Sequence, residues 1–143
     1  MEAIITLNCS KYSENIIDIL KAFKKIGWDI YNSKREVEYL PLGDDDMYAW
    51  TWEKMSEAKF QSIMSEKIAN NEQVGVNLYY NNGVEGISFL AHNTDEIVLS
   101  LLINRRLIDN RHTDMVWYLE NIIYKFMDIG IELLAYSVEE YED

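Results

Sequence analysis

Apolar residues recur along this chain with two periods, and the switches between them mark out its elements. The clearest run is Met115, Leu119, Ile122, Phe126 and Ile129, at steps of four, three, four and three, the spacing of one helix face. Thr113 suits the N-cap, Asp114 the first turn and Gly130 the left-handed stop, so the spacing predicts a helix over 113–129. Ile131 to Val138 then has the apolar content of a strand buried under that helix.

The same reading covers the rest of the chain. Glu2 to Asn8 is a short strand, and Ser13 caps a helix that turns Ile16, Ile19, Leu20, Phe23 and Ile26 to one side. Gly27 ends it and Trp28 to Tyr31 begins a strand. The similar exit at Phe126 to Leu133 is either an internal repeat or, as a glycine-stopped helix leading into a strand gives the same pattern by physics alone, the plainer result of that geometry. Val37 to Leu40 alternates up to Pro41, the one proline, where a strand end or sheet edge is expected. Gly43 to Asp46 is a loop. Met47 to Glu53 alternates as a strand, with Tyr48, Trp50 and Trp52 on one face. Ser56 caps a helix that buries Phe60, Ile63, Met64 and Ile68 and stops at Asn70-Asn71. Val74 to Tyr80 and a return strand with Ile87, Phe89 and Ala91 are joined at Asn82-Gly83 as a hairpin, and Glu96 to Asn104 reads as a central strand. The order is β-α-β-β-β-α-β-β-β-α-β. It implies one α+β domain over 1–143, a mixed and largely antiparallel sheet with three helices packed mostly on one face, and an acidic, solvated tail at 139–143.

Composition narrows the partners. The net charge is −12: residues 1–72 carry 9 basic and 13 acidic groups, residues 73–143 carry 4 and 12. Such a field repels phosphate backbones and anionic lipid, so neither nucleic acid nor membrane is an expected partner, whereas a basic protein would be attracted. An acidic surface that simply keeps the protein soluble gives the same composition. The single cysteine excludes an internal disulfide. Met1 to Leu7 lacks the base of a secretory leader, and no apolar run approaches the roughly 20 residues of a membrane span. A soluble, cytoplasmic protein is expected.

Candidate chemistry is sparse. Cys9, His92 and His112 are scattered, and Cys9 reads as a small buried thiol. No zinc spacing or phosphate loop is present, so no catalytic residue, cofactor or metal is expected. Asp44, Asp45 and Asp46 form the one tight carboxylate cluster, but consecutive aspartates diverge where an ion loop alternates its ligands. They read as a solvated loop or as a partner-facing acidic patch. Tyr48, Trp50 and Trp52 are either core or the exposed anchors of an interface. Arg105, Arg106 and Arg111 either pair with Asp109 and Asp114 or bind an anion.

Gly43 to Glu53, the Tyr79-Tyr80 hairpin and Val116-Trp-Tyr-Leu-Glu120, set in a small acidic, aromatic-rich chain, give it a character that resembles the immunity proteins of bacterial polymorphic and contact-dependent toxins. The resemblance implies a non-enzymatic protein that binds a cognate toxin, expected to be basic, and covers its active site. The residues expected to face that partner are Asp44, Asp45, Asp46, Tyr48, Trp50 and Trp52, with Glu139 and Glu140 of the tail. A different class is also open: a small-molecule-binding or regulatory domain on a ferredoxin-like sheet, with Arg105, Arg106 or His92 in an apolar pocket. A hydrolase built on His92 and Asp95 would lack a nucleophile.

Overall fold

Alternation along the strands and the 3.6-residue period of the helices produce the expected order of elements. The computed structural model describes residues 1–142. It runs β1 (Glu2–Asn8), α1 (Ile16–Lys25), β2 (Trp28–Asp29), β3 (Val37–Tyr39), β4 (Thr51–Glu53), α2 (Glu57–Ala69), β5 (Val74–Tyr80), β6 (Gly86–Ala91), β7 (Ile97–Ile103), a third helical rod, and β8 (Ala135–Tyr141). The rod comprises α3 (Met115–Tyr118), a π turn (Leu119–Ile123) and α4 (Tyr124–Asp128). The strands form one sheet in the order β4-β3-β5-β6-β7-β1-β8, with β2 beside the end of β5. Every pairing is antiparallel, so the sheet is not mixed.

Period-two patterning divides the sheet into two faces. Ala3, Ile5 and Leu7 of β1 share a face with Val76, Leu78, Phe89 and Leu99, and all are buried under the helices. Phe23 of α1 joins the layers, its ring edge-on to Phe89 at 5.8 Å and to Phe126 at 4.9 Å. All five residues expected inward on α1 are buried. The cap is Asn15, which accepts from Ile17 N–H, while Ser13 bonds Asn15 N–H and Asp18. Ser56 caps α2 as expected. At the β5–β6 turn the residues with positive φ are Asn81 and Asn82, not Asn82 and Gly83, and Gly83 N–H closes the turn on Tyr80 O. Asparagine tolerates that conformation, so the turn forms one residue earlier.

Three larger expectations change as well. The 113–129 helix is one rod, but its π turn inserts a residue and moves the buried stripe to Tyr118, Ile122, Ile123 and Phe126. Met115 and Leu119 are left half-buried and Ile129 is exposed. Asp114, not Thr113, is the cap. The turn is pinned at Asn121, whose carbonyl accepts the Trp28 indole N–H at 3.0 Å and whose amide bonds Tyr80 and Trp117. Second, residues 47–50 are not strand, and β4 starts at Thr51. Third, the last strand lies four residues later than expected and is exposed along its whole length, because it is an edge strand beside β1 that the rod does not cover. Glu139 to Tyr141 are therefore strand and not a disordered tail; Asp143 lies outside the described residues.

Candidate functional site

The segment from Pro41 to Glu53 is held by one lysine and one aspartate. Phe60, Met64 and Lys67 sit at steps of four and three, so Lys67 falls on the inward face of α2, where it is completely buried. Its ammonium donates to Pro41 O at 2.8 Å and Asp44 O at 2.6 Å, with Glu72 at 3.3 Å. Asp44 is also buried, and its carboxylate accepts N–H groups from Met47, Tyr48 and Ala49 at 3.0, 3.2 and 2.7 Å. Such a run of N–H groups around an anion is a backbone nest. It holds Tyr48 at φ +53°, a conformation costly for a bulky side chain. Unlike Asp45 and Asp46, Asp44 is therefore buried, with its carboxylate turned into the nest.

The nest turns its side chains into water. Met47 is 79% exposed, Tyr48 51% and Trp52 63%, while Trp50 is half-buried. Asp45 and Asp46 are exposed beside them. Asp45 accepts from Gln73 N–H and bonds His92, both at 2.7 Å, and the His92 bond, followed by the Gln73 bond, holds its carboxyl below the usual range. The aromatic stripe is divided by the turn at Tyr48. Trp50 and Trp52 line an open groove of about 490 Å³ with Glu38, Asn77, Tyr79 and Val84. Tyr48 lines a second depression with Leu90, His92 and Val98. Register places Trp52 with Glu38, and Leu90 with Val98, on the sheet face that no helix covers.

Glu38 anchors the groove floor. Burial pulls its carboxyl upward, but bonds from Asn32, Asn77 and Tyr79 at 2.8, 2.8 and 2.7 Å outweigh it, and the group stays below the ordinary value. Behind it, burial and then the Glu53 carboxylate push the Tyr39 hydroxyl up to about 12. These donors are already committed to Glu38, and the two indoles add aromatic faces to the groove.

The other expected residues lie elsewhere. Glu139 and Glu140 are on β8, six strand spacings of about 4.8 Å from β4, roughly 29 Å away. Glu140 accepts Thr113 N–H and pairs with Arg105. Arg106 pairs with Glu85 and, as expected, with Asp114 at 3.9 Å, and lies 5.0 Å over the Trp117 ring, while Arg111 pairs with Glu142. Asp109 is occupied by the turn it closes, accepting from Arg111 and His112. His92 meets Asp45 rather than Asp95. Cys9 is buried, which pushes its thiol up to about 12. Among the described residues no three His, Cys, Asp or Glu side chains converge to hold a metal, and no helix is long and apolar enough to cross a membrane. Lys67 was legible only as a lysine in phase with Phe60 and Met64. The Glu38 network joins three segments and had no local signal. In comparisons with known proteins, no family model, no curated protein and no solved structure matches this chain.

Proposed function

We propose that this protein is a non-enzymatic binding protein of the immunity type. It neutralises a basic cognate toxin in the cytoplasm by covering it with the corner that runs from Asp45 to Trp52. The observation that carries this reading is the strained, internally braced turn that holds Met47 and Tyr48 in water. Apolar side chains exposed by chance sit on flexible or relaxed backbone. Here a buried lysine and a buried aspartate hold them against both strain and hydration, which is the arrangement expected of binding residues. Asp45 and Asp46 supply the steering charge, and Tyr48 and Trp52 the anchors. The small-ligand reading has the Glu38 groove in its favour, but that groove is open and the Glu38, Asn77 and Tyr79 groups within it are paired with one another.

Affinity capture from the source cells, followed by co-expression, tests the proposal. A basic protein captured by the native chain should arrest growth when expressed alone. Growth should return with the native chain and not with a folded Tyr48→Ala, Trp52→Ala double variant. Rescue by that variant equal to the native chain would refute the assigned surface, and a captured protein without toxicity would refute the immunity role.

A further inference from the structure

The far edge of the sheet carries a second surface. β8 is the last strand in the sheet order, and all seven of its residues are exposed. The direction of its backbone groups follows from β1. Cys9 N–H bonds Thr94 O at 2.8 Å on the β7 side, whereas Asn8 O accepts Leu134 N–H at 3.1 Å on the β8 side. Groups of one residue in an antiparallel strand point the same way and successive residues alternate, so the even positions of β1 face β8. The register pairs Asn8, Thr6 and Ile4 with Ala135, Ser137 and Glu139. Those positions of β8 are therefore committed to β1, and Tyr136, Val138 and Glu140 direct their N–H and C=O groups away from the sheet.

Edges of this kind are usually blunted by charged side chains, lysine above all, by proline or by a bulge. β8 has no lysine, proline or bulge, its register with β1 is unbroken, and the charges it carries are the acids Glu139 and Glu140, which bar an acidic strand but not a basic one. Its side chains define what could pair with it. On the helix side Tyr136 and Val138 are exposed, giving a short strip of one aromatic and one β-branched side chain. On the open side Glu139 makes no ion pair or side-chain hydrogen bond among the described residues, whereas Glu140 and Glu142 are held by Arg105 and Arg111. A second copy is a poor occupant, because it brings another −12 of net charge to the edge. We infer that β8 accepts an extended, basic segment of a partner protein as an added strand, with lysine or arginine against Glu139 and apolar residues against Tyr136 and Val138. This rests on the reading of the protein as a binder of a basic protein, and it assigns a contact separate from the aromatic corner.

The probe is a blocked, fluorescently labelled heptapeptide of alternating lysine and valine, with a glutamate-for-lysine peptide as control. Anisotropy should show saturable binding of the lysine peptide that weakens as salt rises. Val138→Pro removes an N–H that faces away from β1, so the fold should persist by circular dichroism while binding falls by about tenfold or more. Glu139→Lys, which does not touch the backbone, should weaken the lysine peptide and favour the glutamate peptide. Trp52→Ala should leave peptide binding unchanged. Absence of binding, or binding indifferent to Val138→Pro and Glu139→Lys, overturns the inference. Loss of binding in Trp52→Ala alone places the peptide at the aromatic corner and overturns it while leaving the proposed function intact. Self-association of the native chain that is abolished by Val138→Pro and excludes the peptide assigns the edge to a second copy, and also overturns it.

Discussion

Asp44 turns its carboxylate onto three successive N–H groups, whereas Asp45, one residue on, turns outward to His92. Asp44→Ala leaves three part-buried N–H donors without their acceptor and should cost about 1–3 kcal/mol in urea unfolding. Asp45→Asn should leave the unfolding midpoint where it was, because its hydrogen bonds to Gln73 and His92 are exposed to water. A charge-removal test of the corner must therefore change Asp45 and Asp46 and spare Asp44. The sequence could not separate these neighbours, since burial of one aspartate in three depends on a lysine brought from α2. Tyr39 gives a pH signature. Its folded pKa is raised from the ordinary 10 to about 12, so its contribution to stability is complete below about pH 10 and is lost as pH rises toward 12. Tyr79, raised by burial and by Glu38, adds to the same loss. Chemical denaturation between pH 9 and 12 should therefore show a shallower decline in Tyr39→Phe than in the native chain.

Elements whose own period decides their burial were legible: α1, β1, β5, β6 and β7 fall where alternation and helical spacing put them. Those shaped by a distant partner were not. The π turn exists where Trp28 and Tyr80 reach Asn121, and no local spacing announces an inserted residue. The predicted stripe and the observed one share Ile122 and Phe126 but separate at the ends, which sets up a comparison along one rod. Phe126→Ala should destabilise by about 3–5 kcal/mol, as a buried aromatic in contact with Phe23. Ile129→Ala, at a position 45% exposed, should cost less than about 1 kcal/mol. Equal losses would mean that the rod packs through the regular stripe after all. β8 departs from its pattern for a related reason: its apolar content implies burial, but edge position is a property of sheet order, which the chain does not state locally.

The whole molecule is a sheet with helices on one face and an open face that carries the aromatic groove and the Tyr48 depression. Its α+β class and single core followed from the pattern of elements, while the side on which Trp50 and Trp52 lie did not, because parity assigns residues to faces but not faces to solvent. The net charge of −12 belongs to this scale too, and predicts that a basic partner associates faster at low salt, an advantage that Asp45→Asn with Asp46→Asn reduces. The most direct test of the central claim, that the braced turn exists to present a binding residue, is Tyr48→Gly, examined for stability and for dissociation of the captured partner in one experiment. Glycine relieves a positive φ that costs a side chain about 1–2 kcal/mol, and loses part of that gain to backbone entropy. The account predicts a melting temperature equal to or above that of the native chain together with a faster off-rate. A variant that melts lower while its partner dissociates at the native rate would contradict it, since Tyr48 would then serve the fold and not the interface.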